Sequence, residues 1–565
     1  MSLMVRLGQY STAGQKAQNQ DSYGACIPQG AALSAKGIVL AVADGISSSS
    51  VSQVASETAV QSFLQDYYCT SDAWSVPHSA LQVVQACHHW LRGQNQNSAF
   101  AHEPDKGYVS TFTALILRQD QAFWLHVGDS RLYLFRQQQL QQLTRDHRIW
   151  QGQLSYLSQA LGMNAVLKPE QNSLMLQQGD LLMLATDGLF DRLGPQDLTA
   201  TLSTATDDLD RLAAQLAAQA LAAGTDDNIT LQLVRIDQLP SHTLKPYQQH
   251  DELPLPPVLS CNDSLDALQV VRVLQQNSRS FVYLVQQQTT GAFYVMKAPS
   301  TELAEQPQLL DKLLREEWIA RRVQSQHLQK AAALQQPRSA LYSLFDYVPG
   351  QSLRQWRLDH PQLSLEQVRQ LIEQLGRALQ TLHRAEILHQ DLRPENVLID
   401  HQGNAVLIDF GAARLAGLES AEEVAGDIPG TALYTAPEFF LGEAGTEGSD
   451  LYSLAVLSYH LLSGKFPYGP AMARCKTRKA QCQLTYQSVR IYRPEVPLWL
   501  DHTLRKALQP VPQERYQHLS EFLYDIRHPN PDFIKPVSLM QQHPLAFWQA
   551  LCVLQLLVIL GLVAR

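Results

Sequence analysis

The chain lacks the cysteine pattern of a disulfide-stabilised or zinc-binding protein. Its seven cysteines, at positions 26, 69, 87, 261, 475, 482 and 552, form no Cys-x-x-Cys pair. An odd number at these spacings argues against a disulfide framework and indicates a reducing compartment. The N-terminal residues also lack an apolar run long enough for a signal peptide. We therefore expect the folded part of the chain to lie in the cytoplasm.

Positive charge is also scarce. The formal net charge is −9, from 44 Lys and Arg against 53 Asp and Glu in 565 residues. A net negative charge does not indicate a basic surface that would attract nucleic acid, and we expect no nucleic-acid partner. The one dense basic run, Arg474, Lys476, Arg478 and Lys479, is more typical of a solvated surface than of a docking patch.

Long apolar runs are missing until the C-terminal end. Residues 545–564, LAFWQALCVLQLLVILGLVA, contain no charged residue, and about 20 such residues can cross a bilayer. Trp548 suits the membrane interface. The run predicts one transmembrane helix that anchors the chain in the inner (cytoplasmic) membrane, with the catalytic domains in the cytoplasm. Gln549 and Gln555 leave open a terminal amphipathic helix packed on the preceding domain.

The chain is too long for one core, and its pattern changes along its length. Strand-like apolar runs mixed with long helical stretches fill the first part, and a proline-rich polar segment ends it. Strand-like runs then give way to helical periodicity. The fold class predicted is α+β, with these divisions: 1–237, a first domain; 238–261, a linker; 262–528, a second domain; 529–544, a short linker; and 545–564, the membrane helix.

Four aspartates stand beside predicted strands of the first domain: Asp44 in Asp44-Gly45, Asp129, Asp187 and Asp227. Strand ends can bring carboxylates together on hard divalent cations, which prefer oxygen ligands. Two such ions would hold a phosphoryl group and convert a bridging water to a nucleophile. Each Asp-Gly alone is typical of a turn, but the four in this order predict a metal-dependent phosphoryl site.

The neighbouring strings are NQDS (19–22), VADG (42–45), STFTAL (110–115), HVGDSRLYLFR (126–136), LTRDH (143–147), LATDGLFD (184–191) and DNITL (227–231). With them, the first domain resembles the metal-dependent type-2C serine/threonine protein phosphatases. The resemblance implies an N-terminal αββα sandwich with Mg²⁺ or Mn²⁺ bound. It implies that Asp44 bridges two metals, that Gly45 offers its carbonyl, that Asp187 and Asp227 join the same cluster, and that Asp129 with Asp187 serves a third metal.

Three positions depart from that family. Lys16 stands where an arginine usually grips the substrate phosphate, so the charge remains but the two-pronged hydrogen bonding does not. Gln20 replaces a glutamate. Ser47 and Ser48 replace a glycine pair, so the turn after Asp44-Gly45 is built differently. None of the changes removes a metal-binding carboxylate, and we expect an active phosphatase.

The second domain carries a different phosphoryl-transfer set. Phosphoryl transfer from ATP needs a carboxylate near the acceptor hydroxyl, Mg²⁺ ligands and a lysine on the phosphates. Asp391 suits the first role, Asn396 and Asp409 the second, and Lys297 the third. Asp409-Phe410-Gly411 alone would be an ordinary turn, but in this order with His389-x-Asp391 and Ala436-Pro437-Glu438 it predicts a kinase.

This region resembles the eukaryotic-type serine/threonine protein kinases, which implies a bilobal kinase domain. By that resemblance Glu316 pairs with Lys297, and Glu317 is the alternative. Asp346 and Val348 would lie in the hinge that receives adenine. Three further positions would be structural: Glu438, its partner Arg515, and the buried helix residue Asp450.

The kinase-like region also departs from its family. The loop over the ATP phosphates has Gln275, Asn277 and Ser280 before Val282, where glycines normally let backbone N–H groups approach closely. Arg393 stands where a lysine usually contacts the γ-phosphate. Gln390 replaces the arginine before the catalytic aspartate, so switching by loop phosphorylation is not expected.

Three hypotheses follow. The favoured one is a membrane-tethered bifunctional protein serine/threonine kinase and phosphatase, acting on Ser/Thr of protein substrates and on the chain itself as a candidate substrate. The second is an active phosphatase regulated by a nucleotide-binding pseudokinase domain, suggested by the lost glycines. The third, in which the phosphatase is the inactive half, conflicts with its complete aspartate set.

Overall fold

A computed structural model describes residues 3–151, 154–204, 207–240, 253–332, 338–415 and 432–534, together with 548, 549 and 555. The chain divides into two compact units. The first comprises Met1–Gly350, Thr381–His389 and Val406–Ala425, and the second comprises Gln351–Gln380, Gln390–Ala405 and Gly426–Arg565.

Residues 3–240 of the first unit form a layered module, the N-terminal sandwich. Its strands are β1 (Met4–Thr12), β2 (Asp21–Cys26), β3 (Ile38–Asp44), β4 (Phe112–Arg118), β5 (Gln121–Val127), β6 (Arg131–Arg136), β7 (Gln139–Gln142), β8 (Arg148–Gln151), β9 (Leu154–Leu157), β10 (Glu170–Met175), β11 (Leu181–Ala185) and β12 (Ile229–Gln238). Its helices are α1 (Ala31–Lys36), α2 (Ser52–Cys69), α3 (Val76–Gln96), α4 (Asp187–Phe190), α5 (Pro195–Leu202) and α6 (Leu209–Ala222).

Two five-stranded sheets make the sandwich, in the orders β1-β12-β11-β6-β7 and β10-β5-β4-β3-β2. Successive side chains of a strand point to opposite faces. Leu182 and Leu184 accordingly join Leu40 in the core between the sheets. Met183 instead joins Leu216 of α6 in a second core under the helices. The αββα sandwich expected from the sequence is confirmed.

A second layered part of the first unit, the sheet lobe, follows residue 253. It contains β13 (Ser264–Leu265), β14 (Leu268–Gln276), β15 (Ser280–Gln287), β16 (Phe293–Pro299), helix α7 (Pro307–Arg322) and β17 (Ser343–Asp346). The strands form one five-stranded sheet in chain order. Helix α7 packs against this sheet, with Trp318, Ile319 and Ala320 buried.

The remaining elements continue to residue 534: β18 (Gly350–Ser352), α8 (Leu353–Asp359), α9 (Leu365–Arg384), β19 (Ile387–Leu388), β20 (Val397–Asp400), β21 (Ala405–Leu407), β22 (Arg414–Leu415), α10 (Glu447–Ser463), α11 (Arg478–Cys482), α12 (Leu498–Ala507), α13 (Leu519–Arg527) and α14 (Pro531–Ile534). The second unit, the helical lobe, is built around α10. This helix is buried along most of its length and packs against α12 and α13.

The predicted membrane helix, residues 545–564, lies outside the described residues apart from positions 548, 549 and 555. In the part of the chain that the structure describes, no helix combines the length and the apolar character needed to span a bilayer.

Candidate functional site

An acid cluster forms where several strands of the sandwich begin or end. Asp21 opens β2 and lies directly across from Asp44 at the end of β3. Asp129 follows β5, Asp187 follows β11 at the start of α4, and Asp227 precedes β12. The four aspartates predicted from the sequence are therefore brought together. Asp21, which belongs to the NQDS string but has no role in the prediction, joins them.

The electrostatics of this acid cluster favour cations. Burial raises the pKa of Asp44 well above its usual range, and the neighbouring charges of Asp21 and Asp187 raise it further. Burial, followed by the charges of Asp129, Asp191 and other carboxylates, raises the pKa of Asp187 to about 7. Desolvated carboxylates that repel one another are stabilised when a divalent ion binds between them.

An unpaired oxygen supports the same conclusion. One carboxylate oxygen of Asp21 accepts from the Thr186 hydroxyl at 2.8 Å. The other, Oδ1, is buried without a hydrogen-bond partner. Buried polar atoms without partners are rare, and hard divalent ions take oxygen ligands such as these. The donor set thus fits the expected Mg²⁺ or Mn²⁺.

Gln20, one of the residues that depart from the family, stabilises the turn after Asp44. A Cβ on Gly45 would lie 2.7 Å from the carbonyl oxygen of Ser52, so only glycine fits there. The side-chain amide of Gln20 donates to the Ser49 carbonyl at 2.9 Å and to the Ser52 hydroxyl at 2.8 Å. Gln20 therefore fastens the serine-rich turn.

Two cationic side chains contact the acid cluster. The Lys16 ammonium donates to Asp227 and, at 2.8 Å, to the Ser47 hydroxyl, so the predicted phosphate-binding residue lies beside a predicted metal ligand. The Arg148 guanidinium donates to Asp129 at 2.6 Å and to Asp187 at 3.2 Å. Arg148 is not among the predicted site residues, because nothing in the neighbouring sequence shows that the β8–β9 hairpin directs this side chain to the cluster.

In the sheet lobe the predicted ion pair is present. The Lys297 ammonium donates to both carboxylate oxygens of Glu316 at 2.7 Å, and to Asp409 at 3.1 Å. Burial alone would lower the pKa of Lys297, but Glu316 and Asp409 more than offset it, so the lysine stays charged. A Cβ on Gly411 would lie 2.8 Å from Glu316, which explains the glycine. Glu317, the alternative partner, contacts other groups.

Asp409 itself has a left-handed backbone, with φ at 66°. This conformation is strained for a residue other than glycine and clusters at functional sites. Burial would raise the pKa of Asp409, but Lys297 holds it below its usual range. The carboxylate is therefore ionised, as an Mg²⁺ ligand must be.

The loop between β14 and β15 is a tight hairpin, in which Gln275 pairs with Val282 across the strands. The side chain of Asn277 accepts from the backbone N–H of Arg279 at 2.9 Å and of Ser280 at 2.8 Å. In a glycine-rich loop such donors would face the ATP phosphates. Here Asn277 already satisfies them, which gives the lost glycines a concrete consequence.

The predicted hinge residues lie at the end of the last strand of the sheet lobe and just after it. Asp346 ends β17, where its backbone N–H donates to the Lys330 carbonyl at 2.9 Å, and its side chain is exposed. Val348 lies two residues on and is half-buried. Lys297 sits on β16 directly across from Val282 of β15, so these predicted nucleotide contacts share one sheet.

In the helical lobe, Asp391 and Asn396 are in contact. The Asn396 side-chain amide donates to the Asp391 carboxylate at 2.9 Å and to its backbone carbonyl at 2.9 Å. The fully buried Asp450 accepts from the backbone N–H of Gln390 at 2.8 Å, which fixes the loop that carries Asp391. Arg393 donates to Glu395 at 2.9 Å.

The predicted structural pair of this lobe is also present. Arg515 donates to the two carboxylate oxygens of Glu438 at 2.9 and 2.7 Å, and both side chains are almost fully buried. The Ser449 hydroxyl at the start of α10 donates to the same carboxylate at 2.6 Å. The pair therefore ties the Ala436-Pro437-Glu438 segment to the core of the lobe.

Comparison with known families agrees with this geometry. Residues 9–224 match the family model for protein phosphatase 2C, and residues 269–529 match the model for the protein kinase domain. The chain joins a protein phosphatase 2C domain to a protein kinase domain. The phosphatase 2C match covers most of the N-terminal sandwich, contains Asp44, Asp129 and Asp187 of the acid cluster, and ends just before Asp227. The kinase match contains Lys297, Asp391 and Asp409.

Individual relatives match one domain each. The serine/threonine-protein kinase Pkn1 of Myxococcus xanthus is 28% identical over 275 residues, which are 47% of this fusion and 39% of that protein. This chain therefore spans about two fifths of the length of that curated relative. Among solved structures, the Mycobacterium tuberculosis PknI kinase domain is 24% identical and covers 48% of this chain and 100% of its own, with a TM-score of 0.37. The catalytic domain of the phosphatase PstP, in complex with two manganese ions, is 25% identical. The match covers 42% of this chain and 100% of that structure, with a TM-score of 0.34.

Proposed function

We propose that this protein is a bifunctional protein serine/threonine kinase and phosphatase. The observation that carries the proposal is that one chain combines a site suited to removing phosphate with a site suited to attaching it. The acid cluster suits hydrolysis of a phosphoester, and the Lys297–Glu316–Asp409 group suits transfer from ATP. Because both activities share one chain, each acts at high effective concentration on the other and on any shared protein substrate.

The phosphatase half would hold two Mg²⁺ or Mn²⁺ ions between Asp44, Asp187 and Asp227, with the carbonyl of Gly45. Such a pair of metals supplies a hydroxide nucleophile at neutral pH and neutralises the phosphoryl oxygens. Lys16 would attract the phosphate of a phosphoserine or phosphothreonine, as a charge without the two-pronged geometry of arginine.

The kinase half would use ATP and Mg²⁺. Lys297, held by Glu316, would bind the ATP phosphates, while Asp409 and Asn396 would hold Mg²⁺. Asp391 would orient the serine or threonine hydroxyl of the substrate and accept its proton. The capped amides beside Asn277 predict weak phosphate binding, so we expect a kinase with a high KM for ATP.

The decisive experiment measures kinase chemistry in the full chain with the phosphatase silenced. The parent chain, Asp187→Ala, and Asp187→Ala combined with Asp409→Ala are each given labelled ATP and Mg²⁺. Incorporation into the chain and into a generic basic protein is then followed. We expect label in Asp187→Ala, none in the double variant, and less net label in the parent chain.

The labelled product of that reaction tests the other half. Label should be released by the Asp409→Ala chain with Mn²⁺, and not by Asp187→Ala. If no label is incorporated while nucleotide still binds, the kinase proposal fails and a phosphatase regulated by a pseudokinase replaces it. If label is incorporated but never released, the phosphatase proposal fails.

We also propose that residues 545–564 anchor the protein in the inner membrane with both domains in the cytoplasm. The support is the uncharged apolar run in the sequence, of about the length that spans a bilayer. The test compares the full chain with a chain ending at residue 540 in membrane and soluble fractions after alkaline extraction. The full chain should stay with the membranes and the shortened chain should not. Equal partition of the two would refute the anchor.

A further inference from the structure

The N-terminal sandwich contacts the kinase helix that carries Glu316. Within the first compact unit, the C-terminal end of α2 and the docking loop (residues 70–74) lie against α7. Arg321 of α7 donates to the Asp72 carboxylate at 2.6 Å and to the Thr70 carbonyl at 3.2 Å. On the next residue, the Arg322 guanidinium lies 3.2 Å from the Asp66 carboxylate.

An apolar contact accompanies these ion pairs. The rings of Trp74 and Trp318 meet edge to face, with centroids 5.8 Å apart. Both are buried, with 7% and 1% of their surface exposed. Buried tryptophans flanked by charge-assisted bonds are the usual anchors of a specific interface. The contact between the sandwich and α7 therefore has the composition of a built interface.

Glu317 is the centre of this interface. Its side chain is fully buried. Its carboxylate accepts four hydrogen bonds from three side chains: from Ser71 Oγ at 2.9 Å, Arg321 Nη2 at 2.8 Å, Arg338 Nη1 at 2.8 Å and Arg338 Nη2 at 2.5 Å. Ser71 belongs to the sandwich, Arg321 to the helix, and Arg338 to the sheet lobe. One carboxylate therefore joins all three parts.

The docking loop is both charged and fixed in shape. Burial alone would raise the pKa of Asp72, but Arg321 more than offsets it and the pKa falls to about 2. The Asp72–Arg321 pair is thus ionised at neutral pH. The Lys36 amine, itself buried, donates to the Thr70 hydroxyl at 2.7 Å and to the Ser71 carbonyl at 2.8 Å. Lys36 therefore holds the docking loop in the shape that α7 meets.

The geometry of a helix connects this interface to the kinase site. Adjacent residues of an α-helix are about 100° apart around its axis, since there are about 3.6 residues per turn. Fixing the direction of Glu317 on the docking loop and Arg338 therefore fixes the direction of its neighbour Glu316. In this rotation Glu316 reaches Lys297 at 2.7 Å.

We propose that the phosphatase domain is a built-in positioning partner of the kinase, in which the docking loop holds α7 in the rotation that pairs Glu316 with Lys297. Ser71, Asp72 and Glu317 are its positioning residues. The inference rests on the proposed kinase activity and specifies how that activity is supported.

The test is a charge exchange across the interface, made in the full chain carrying Asp187→Ala. Asp72→Arg and Arg321→Asp are made singly and together, and initial rates of phosphate incorporation are measured over a range of ATP concentrations. Each single change should slow the kinase by about tenfold, since a charge-assisted hydrogen bond is lost. The double exchange should be faster than Arg321→Asp alone, because it re-forms the ion pair in the reversed sense. It should stay slower than the parent, because the bond that Arg321 donates to Glu317 remains lost.

Two controls separate positioning from general damage. Glu57→Arg changes a charge on an exposed face of the same helix α2 and should leave the kinase rate unchanged. Asp72→Arg in a chain with Asp187 intact should keep its Mn²⁺-dependent release of phosphate, which shows that the sandwich is folded. If the reversed-charge chains do not fold, Asp72→Asn decides, with an expected loss of several-fold.

The outcomes are distinct. If the Asp187→Ala parent incorporates no label, the proposed function fails and this inference fails with it. If the parent is active and the single changes do not slow it, the positioning role is refuted. If they slow it and the double exchange is no faster than Arg321→Asp alone, the direct Asp72–Arg321 contact is refuted as the cause.

Discussion

Replacing Asp187 by asparagine should stabilise the phosphatase domain when metal is removed. Burial and the surrounding carboxylates raise the pKa of Asp187 from 3.8 to about 7. At pH 8 the folded domain must keep this carboxylate ionised without a bound metal ion. Raising the pKa of a folded-state carboxyl by that much lowers the free energy of unfolding by about 4 kcal/mol when the group is ionised. Because the clustered carboxylates share protons, we expect about half of it to be recovered, about 2 kcal/mol.

The sign follows from proton linkage. Between about pH 4 and pH 7 the folded domain binds more protons at Asp187 than the unfolded chain does, so stability falls as the pH rises through that window. Asparagine cannot ionise and removes the penalty. The gain should therefore be full above pH 7 and absent near pH 4. For a domain of about 230 residues, 2 kcal/mol corresponds to about 4–8 °C in melting temperature.

The assay is differential scanning calorimetry of the full chain in chelator at pH 8 and pH 4, with the phosphatase transition identified as the one that Mn²⁺ shifts. Asp187→Asn should melt higher than the parent in chelator at pH 8, and should gain less than the parent from Mn²⁺. The control is Asp207→Asn, an exposed aspartate paired with Arg6 at 2.7 Å, which should not raise the melting temperature. An equal gain at both pH values, or none at pH 8, would refute the electrostatic argument.

Three other predictions test single contacts. Asn277→Gly should lower the KM for ATP in the kinase assay, because it frees two loop amides for the phosphates; an unchanged KM would contradict the capping. Arg148→Ala should lower the Mn²⁺ concentration for half-maximal phosphatase activity, because its guanidinium competes with metal at Asp129, and a metal titration measures this. Arg515→Met should destabilise the kinase transition in calorimetry by about 3–5 kcal/mol, because the buried Glu438 carboxylate is left without its counter-charge. A loss no larger than that of an exposed arginine would refute the last prediction.

The parts of the fold and sites that the sequence predicts are those with local signals. The strands of the sandwich follow apolar runs bounded by polar turns, as at Leu181–Ala185, whose five residues are all apolar and buried. Asp44 and Asp187 could be placed because each directly ends or follows such a run. Arg148 has no comparable signal, since its contact with Asp129 depends on how the β8–β9 hairpin lies on the sandwich.

Glu316 and Glu317 show where local reasoning stops. They are adjacent acidic residues on one helix, and the resemblance to the kinases makes Glu316 the partner of Lys297 with Glu317 as the alternative. The partners that the kinase region does not predict lie far away in the chain: Ser71 lies 246 residues before Glu317, and Asp72 lies 249 residues before Arg321. Since Glu317 is fully bonded by the docking loop and by Arg338, it is not available to Lys297, and Glu316 takes that place. The structure pairs Glu316 with Lys297, as the resemblance to the kinases implies. What the kinase region alone does not contain is the docking loop, whose Ser71 and Asp72 bond the neighbouring side chains of Glu317 and Arg321.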